Sequence, residues 1–290
     1  MVNTRMELEA RAARAESKRG FLIGLPSYFY LVLFFAVPLV IVLVYSFATR
    51  TRTGATELAN WNLDSWARVF DEIPRQVAFR SLWLAALTTV ISLLASYPFA
   101  YWIATRSARV RAVLLILVMI PFWSNFLVRT YAMKFLMGSD GPVSLISQAM
   151  GGEPVRILFT LPAVLIGLVY GYMPFMILPL YAALERMDWS LVEAARDLYA
   201  GGWAAFRKVT LPLSMPGVVA GSVLVFIPAL GAYVTPAILG GGRPPLLGDY
   251  IVGQFLTARN WPFGSALSMM VMLVMLAATI IYFRKGARTL

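Results

Sequence analysis

The chain has 290 residues with no cysteine and no histidine, which excludes disulfides, thiolate or imidazole metal ligands and every histidine-based catalytic triad. Hydrophobic residues make up 60% and charged residues only 13%, which excludes an ordinary soluble domain. The net charge of +11 is distributed between apolar runs rather than gathered on one face or tail, which argues against nucleic acid as a partner.

Six stretches, 22–48, 81–104, 112–136, 157–183, 216–239 and 264–283, are apolar over the roughly 20 residues that a bilayer-spanning helix needs. They predict an all-α membrane protein with six transmembrane helices. Residues 1–20 read as a charged, helix-prone tail whose cations hold the first helix to the inner face; a contact with an ATPase or a partner subunit is the second reading. The first run follows about twenty polar residues and exceeds the roughly 7–15 residues of a signal-peptide apolar region, so it is expected to remain as a span. Pro26 and Pro38 predict kinks in it. Trp61, Leu63, Trp66, Val69 and Phe70 then suggest an amphipathic helix lying at the membrane interface.

Ser92, Ser96 and Tyr97 in the second run suit close helix packing, and Arg106, Arg109 and Arg111 follow in a short loop. The third run contains Arg129. A charge at mid-bilayer costs about 2.5–3.5 kcal/mol on insertion scales, so Arg129 must face a cavity, a partner or the interface. It either lines a solute path or pairs structurally. In the fourth run Tyr170-Gly171-Tyr172-Met173-Pro174, between Pro162 and Pro179, predicts an interrupted helix whose backbone faces protein or a cavity. Helical residues diverge by about 100° per step, so only one of Tyr170 and Tyr172 is expected on the path.

Residues 188–217 form a polar island between two apolar runs. Ser190 and Glu193 predict a capping box, and Leu191, Ala194, Ala195 and Leu198 recur at helical spacing to make a narrow apolar face. Gly201-Gly202 is expected to end that helix, and Leu211-Pro212 a short second one. Such an exposed, Ala- and Leu-rich face suits a groove on a partner protein. In the fifth run Gly217 and Gly221 are spaced for close helix contact. Leu246, Leu247, Tyr250, Ile251, Gln254 and Phe255 predict an amphipathic helix before the last run, which ends in Arg284-Lys285. With the N-terminus inside, fifteen of the 25 Lys and Arg fall on the cytoplasmic side (5, 11, 14, 18, 19; 106, 109, 111; 186, 196, 207, 208; 284, 285, 288), which places both ends and the polar island in the cytoplasm.

Glu193-Ala194-Ala195, Asp197-Leu198, Ala200, Phe206, Val209 and Leu211-Pro212-Leu213 resemble the EAA loop of binding-protein-dependent ABC importer permeases. Tyr199 stands where that family usually has glycine, and Gly201 or Gly202 could supply the bend instead. Pro121-Phe122-Trp123 with Arg129-Thr130-Tyr131, Phe226-Ile227-Pro228-Ala229-Leu230-Gly231 with Leu239-Gly240-Gly241, and Asn260-Trp261-Pro262-Phe263-Gly264 resemble the spermidine/putrescine-type subgroup. Some members of that subgroup carry an acid directly after the counterpart of Gly231, whereas Ala232-Tyr233 follow here. Asn62-Leu63-Asp64-Ser65-Trp66 with Val69-Phe70 is similar to a segment that packs beneath the binding protein in this family.

The resemblance implies the type I ABC importer permease fold, with a tail at 1–20 and a permease domain over 21–290 whose coupling loop is 185–215. It implies ATPase coupling through Glu193, Ala194, Ala195, Asp197, Leu198, Tyr199, Ala200 and Gly201. Trp123, Asn125, Arg129, Tyr131, Tyr170, Tyr172 and Tyr233 are the candidates for the substrate path. The implied partners are a second homologous permease, a cytoplasmic ATPase dimer, an external substrate-binding protein and the lipid bilayer of a bacterial inner membrane. No Gly-x-x-x-x-Gly-Lys-[Ser/Thr] occurs, so this chain is expected to bind no cofactor and to act non-catalytically, with ATP and Mg on the partner ATPase. The implied cargo is a small polar solute, a polyamine or a related organic cation, or another solute within the same class. An ATP-independent secondary transporter is the rival from another class. Against it, no Asp or Glu lies inside any of the six runs to carry a proton, and the same absence leaves an intramembrane enzyme few nucleophile–base pairs.

Overall fold

The computed structural model describes residues 24–51, 54–241 and 245–286, with 281–286 described by backbone alone. The tail at 1–20 and the side chains of Arg284 and Lys285 lie outside the described residues. In chain order the elements are α1 (Gly24–Tyr45), β1 (Thr49–Arg50), β2 (Thr56–Glu57), α2 (Asp64–Arg68), α3 (Glu72–Ala104), α4 (Ala108–Trp123) and α5 (Phe126–Leu136). Then come α6 (Pro142–Ala149), α7 (Leu161–Glu185), α8 (Ser190–Asp197), α9 (Gly202–Leu230), α10 (Val234–Leu239), α11 (Leu247–Leu256) and α12 (Trp261–Gly286). Five helices, α1, α3, α7, α9 and α12, are each long and apolar enough to cross a membrane, and the bent pair α4/α5 is long and apolar enough for a sixth when taken as one span. By internal contacts the chain forms two units, one running to Val69 and including Arg259–Leu273, the other Phe70–Ala258 with the residues from Val274 onward.

In the first unit, α1 has 22 residues, about 33 Å of helix, enough for the hydrocarbon core. A widened turn, rather than a sharp kink, accommodates Pro38. Residues Val32–Ala36 wind as π-helix, and the Val37 N–H reaches back five residues to the carbonyl of Val32. A proline crowds the carbonyl four residues before it and offers that carbonyl no N–H, and the extra residue in the turn relieves both.

The interfacial helix expected over 61–70 is largely absent. In its place stand a hairpin pairing Thr49 with Glu57 and Arg50 with Thr56, and the five-residue α2. Local polar contacts fold this segment on itself: Asn62 donates to Thr49 Oγ1 (2.7 Å) and accepts the Asp64 N–H (3.0 Å). The Trp66 indole donates to Ser46 Oγ (3.2 Å), and the rings of Trp61 and Trp66 both stack on Phe47. At the start of α12, Trp261 meets Tyr45, and the Arg68 guanidinium lies 4.7 Å over the Phe263 ring.

The second unit is built on α3, α7 and α9, which pack on one another around Tyr97, Ile103, Met176, Leu180, Leu184 and Val225. Gly217 and Gly221 let α9 approach α7 closely: a Cβ at 217 would lie 2.6 Å from both the Pro179 carbonyl oxygen and Ala183 Cβ. Tyr97 and Ser214 share a buried 2.7 Å hydrogen bond between α3 and α9. Ser92 and Ser96 are fully buried with hydroxyls that have no hydrogen-bond partner among the described residues.

Three expectations about the spans are corrected here. The run 112–136 is not one helix, because α4 ends at Trp123 and α5 leaves at 89°. Asn125 starts α5 by accepting the N–H groups of Leu127 (2.8 Å) and Val128 (3.4 Å), a signal hidden inside an unbroken apolar run. The interruption expected at Tyr170–Pro174 does not occur; α7 is continuous through Pro174 and Pro179. Packing of α3 and α9 along it supports the helix across both missing N–H groups. Finally, Pro212 does not stop a helix. Residues Phe206–Thr210 form a second π-turn, with the Leu211 N–H on the Phe206 carbonyl, and α9 runs on to Leu230. In both π-turns the proline sits two residues after the widened segment.

Candidate functional site

The polar island folds around a small apolar cluster of its own. Met187, Val192 and Ala205 are buried, with Trp189, Ala195 and Val209 packed around them. The capping box is corrected: Ser190 is the first residue of α8, and the oxygen that caps the helix belongs to Asp188, which accepts the Ser190 N–H at 3.0 Å. Hydrogen bonds from the Ser190 hydroxyl and N–H hold the Asp188 carboxyl below its ordinary value. A lowered carboxyl pKa means that this cap is in place above the ordinary carboxylate range and is lost as pH falls below it. The four apolar positions expected to share one face divide. Leu191, Ala194 and Leu198 face outward, while Ala195 turns toward the buried cluster beside Val192.

The end of α8 is set by Tyr199. It adopts φ +58°, the Tyr199 N–H bonds to the Arg196 carbonyl (2.9 Å) and the Ala200 N–H to the Ala195 carbonyl (3.0 Å). This is a Schellman motif with tyrosine in the left-handed position that glycine normally fills. Gly201 has φ −62° and begins the next helix, so it does not make the bend. Tyr199→Gly is therefore expected to stabilise the loop by about 1 kcal/mol, the usual cost of a left-handed non-glycine residue. Slower hydrogen exchange at the amides of residues 199 and 200 would register that gain, and unchanged or faster exchange would contradict it. The tyrosine ring is 99% exposed and Leu198 beside it 82%, with Trp203 also outward. From Gly202 a single helix, α9, runs through the π-turn at Phe206–Thr210 to Leu230. On the opposite side the Arg111–Glu185 ion pair (3.2 Å) joins α4 to the end of α7.

The path candidates separate into three groups. At the elbow, the Arg129 guanidinium donates to the Pro121 carbonyl (2.7 Å) at the end of α4 and lies over the rings of Phe126 and Tyr170. These contacts tie Arg129 to the bend that Asn125 begins. Trp123, at the same bend, is exposed. Tyr131 points away to Lys134, whose ammonium also faces Phe159. Tyr172 belongs elsewhere, donating to the Pro228 carbonyl (3.3 Å) near the end of α9, where the chain breaks at Gly231 and the exposed Tyr233 precedes α10. Tyr170 and Tyr172 thus serve different neighbours, as their helical divergence requires.

The start of α11 carries an acid, Asp249, that no expectation from the sequence covered. The first turn of α11 is fastened to α3 by the Leu247 N–H on Ser81 Oγ (2.7 Å), and Gly248 lies against the carbonyls of Gly231 and Ala232. Asp249 follows, half-buried, and burial pushes its carboxyl above the ordinary value. A signal was available: Asp249 is the only acidic residue after Asp197.

Residues 12–285 match the family described as "Binding-protein-dependent transport system inner membrane component". The chain belongs to this family. It is a multi-pass inner-membrane permease subunit of an ABC importer. Among relatives, this permease is 41% identical over 257 residues to the spermidine/putrescine transport system permease protein PotB of Haemophilus influenzae, covering 88% of this chain and 90% of that one. It is 38% identical to PotB of Escherichia coli, covering 88% and 93%. The permease fold matches a subunit in the crystal structure of a bacterial ABC transporter that imports the acidic polysaccharide alginate, with TM-score 0.72, 17% identity and coverage of 96% and 99%. The same transporter has been crystallised with its alginate-bound periplasmic protein, again with TM-score 0.72 and 17% identity, covering 95% and 97%. At that identity the likeness concerns fold only.

Proposed function

We propose that this permease moves a polyamine, spermidine or putrescine, inward, and that a separate cytoplasmic ATPase drives it through the loop 185–215. The observation that carries the coupling is the loop's construction. A capped helix on its own apolar cluster presents Leu191, Ala194, Leu198 and Tyr199 outward, and after the turn at Tyr199–Gly201 the chain enters the spanning α9. Glu193, Asp197, Ala200 and Gly201 complete the contact region, with Ala195 holding it from beneath. ATP and Mg bind on the ATPase dimer, whose closure shifts the loop and rocks the membrane helices between outward- and inward-open states.

The cargo follows from the polyamine permeases that this chain matches over most of its length. An external binding protein delivers it. A second, homologous permease completes the path, a reading supported by α1, whose apolar window has no buried residue. The charge distribution puts both chain ends and the coupling loop in the cytoplasm. We place Trp123, Asn125, Arg129 and one of Tyr170 and Tyr172 on the path, with Tyr233 at the α9 break and Tyr131 at the edge. Proteoliposomes containing the four kinds of subunit are expected to accumulate radiolabelled spermidine or putrescine only with ATP and the binding protein. Accumulation without the ATPase would overturn the coupling and favour a secondary transporter; ATP-driven uptake of another solute alone would overturn the polyamine.

A further inference from the structure

The loop 185–215 rests on α3 at both of its arms. Tyr97 and Tyr101 stand four residues apart near the end of α3, so they share a face of that helix. Tyr101 meets Trp189, ahead of α8, with ring centroids 5.5 Å apart and planes at 66°. Tyr97 meets Phe206, in the π-turn that follows α8, edge-on at 5.4 Å and 90°. Phe206 in turn stacks on the exposed Trp203 (5.3 Å, 25°), so a ladder of rings leads from the surface of the loop to a buried tyrosine of α3.

The hydroxyl of that tyrosine closes a circuit around the π-turn. Ser214 has one proton and gives it to the Leu211 carbonyl (3.1 Å), so the Tyr97 hydroxyl is the donor in the 2.7 Å bond to Ser214 Oγ. The Leu211 N–H donates to the Phe206 carbonyl, and the Phe206 ring returns to Tyr97. One side chain of α3 therefore holds both ends of the widened segment, its ring against Phe206 and its hydroxyl on Ser214. Helices kink at π-turns, so a displacement of the loop is dissipated there unless something spans the turn. Beside Tyr97, α3 has a soft point of its own. Pro98 leaves the Leu94 carbonyl without its helical N–H, and the buried hydroxyls of Ser92 and Ser96 have no partner among the described residues.

We infer that Tyr97 is the positioning residue that carries a displacement of the loop across the π-turn and into α3. The inference rests on the reading of 185–215 as the coupling loop, and it names the contact through which that loop moves the bundle. With ring and hydroxyl both held, Tyr97 does not turn away when Phe206 is pushed, so α3 and the part of α9 beyond Leu211 shift together. Without the hydroxyl bond the ring is free to rotate, and the π-turn absorbs the push. A rigid contact acts in both directions, so a rearrangement of the bundle produced by loaded binding protein reaches the ATPase through the same side chain.

Tyr97→Phe keeps the ring and removes the donor, and Ser214 keeps its bond to Leu211, so the variant leaves no buried group newly unpaired. In proteoliposomes with the complete importer, it is expected to lower spermidine or putrescine uptake about threefold or more, the scale of one neutral hydrogen bond. The stimulation of ATP hydrolysis by loaded binding protein is expected to fall with it. Hydrolysis without binding protein, co-purification of the ATPase and the thermal midpoint are expected to stay near the wild type. Ser214→Ala, acting from α9, is expected to give the same loss, and the double variant no more than either single one, since all three break one link. A loss of uptake or stimulation smaller than about threefold in either single variant would overturn the inference. So would single losses that multiply in the double variant. Single variants that also lose unstimulated hydrolysis and thermal midpoint mark a structural role and overturn it as well. Wild-type uptake that proceeds without the ATPase overturns the coupling reading itself, whereas ATP-dependent wild-type uptake with unaltered variants overturns only the role of Tyr97.

Discussion

Replacing Gly217 with valine is expected to destabilise the α3/α7/α9 core by about 3 kcal/mol or more, at the upper end of overpacking effects. The first added carbon alone would fall 2.6 Å from the Pro179 carbonyl oxygen and 2.6 Å from Ala183 Cβ, with Leu180 Cα at 3.2 Å. Two of these three atoms are backbone, so no rotamer change relieves the contact, and the helices must separate. Separation forfeits dispersion along the whole seam, where a gap of 0.5–1 Å loses about a quarter to a half of each contact. Glycine at 171 provides the comparison, because a Cβ there meets nothing within 4 Å. Gly171→Ala is expected to be neutral or slightly stabilising through helix propensity. Thermal unfolding of the detergent-purified protein separates the two; equal midpoints would mean that the α7/α9 contact does not limit stability.

Val192→Asp is expected to cut coupled transport about a hundredfold while leaving the membrane bundle folded. Val192 is 5% exposed and sits between Met187 and Ala205 in a cluster of three buried residues. An unpaired carboxylate there costs several kcal/mol, and so small a cluster cannot supply that much. The loop should therefore open locally, and about 3 kcal/mol corresponds to a hundredfold loss of the folded loop. The principal core of the second unit, from Tyr97 to Val225, is a different cluster, so insertion and thermal stability should stay near the wild type. Co-purification of the ATPase reads the outcome. Retention of the ATPase by a loop carrying Asp at 192 would show that docking does not need this helix.

Much of the 185–215 loop was legible because its signals are local. Its polarity between apolar runs and its helical spacing both act within a few residues. What was misassigned shows the limit of local rules. Ser190 and Glu193 satisfy the capping pattern, but so does Asp188 two residues earlier, and only the entry angle of the chain from α7 decides which oxygen meets the first free N–H. Tyr199 offers no sequence sign that it would take a left-handed conformation with two glycines close by. The Schellman bonds to Ala195 and Arg196 require it two residues before the first glycine.

The amino-acid sequence by itself determined the membrane setting, the apolar runs, the charge bias and the position of the polar loop. Hydropathy and charge report which solvent each segment prefers, and that preference needs no knowledge of the neighbours. Only the tertiary structure decided direction and proximity. The 89° elbow after Trp123 depends on Arg129 reaching back to Pro121, and the unbroken course of α7 depends on helices packed to either side. The meeting of α11 with the end of α9 depends on Gly248 lying against the carbonyls of residues 17 and 16 positions earlier, Gly231 and Ala232. Apolar periodicity is degenerate with respect to all three, because any face of a largely apolar helix satisfies the lipid equally well, and the choice falls to shape complementarity between helices distant in the chain.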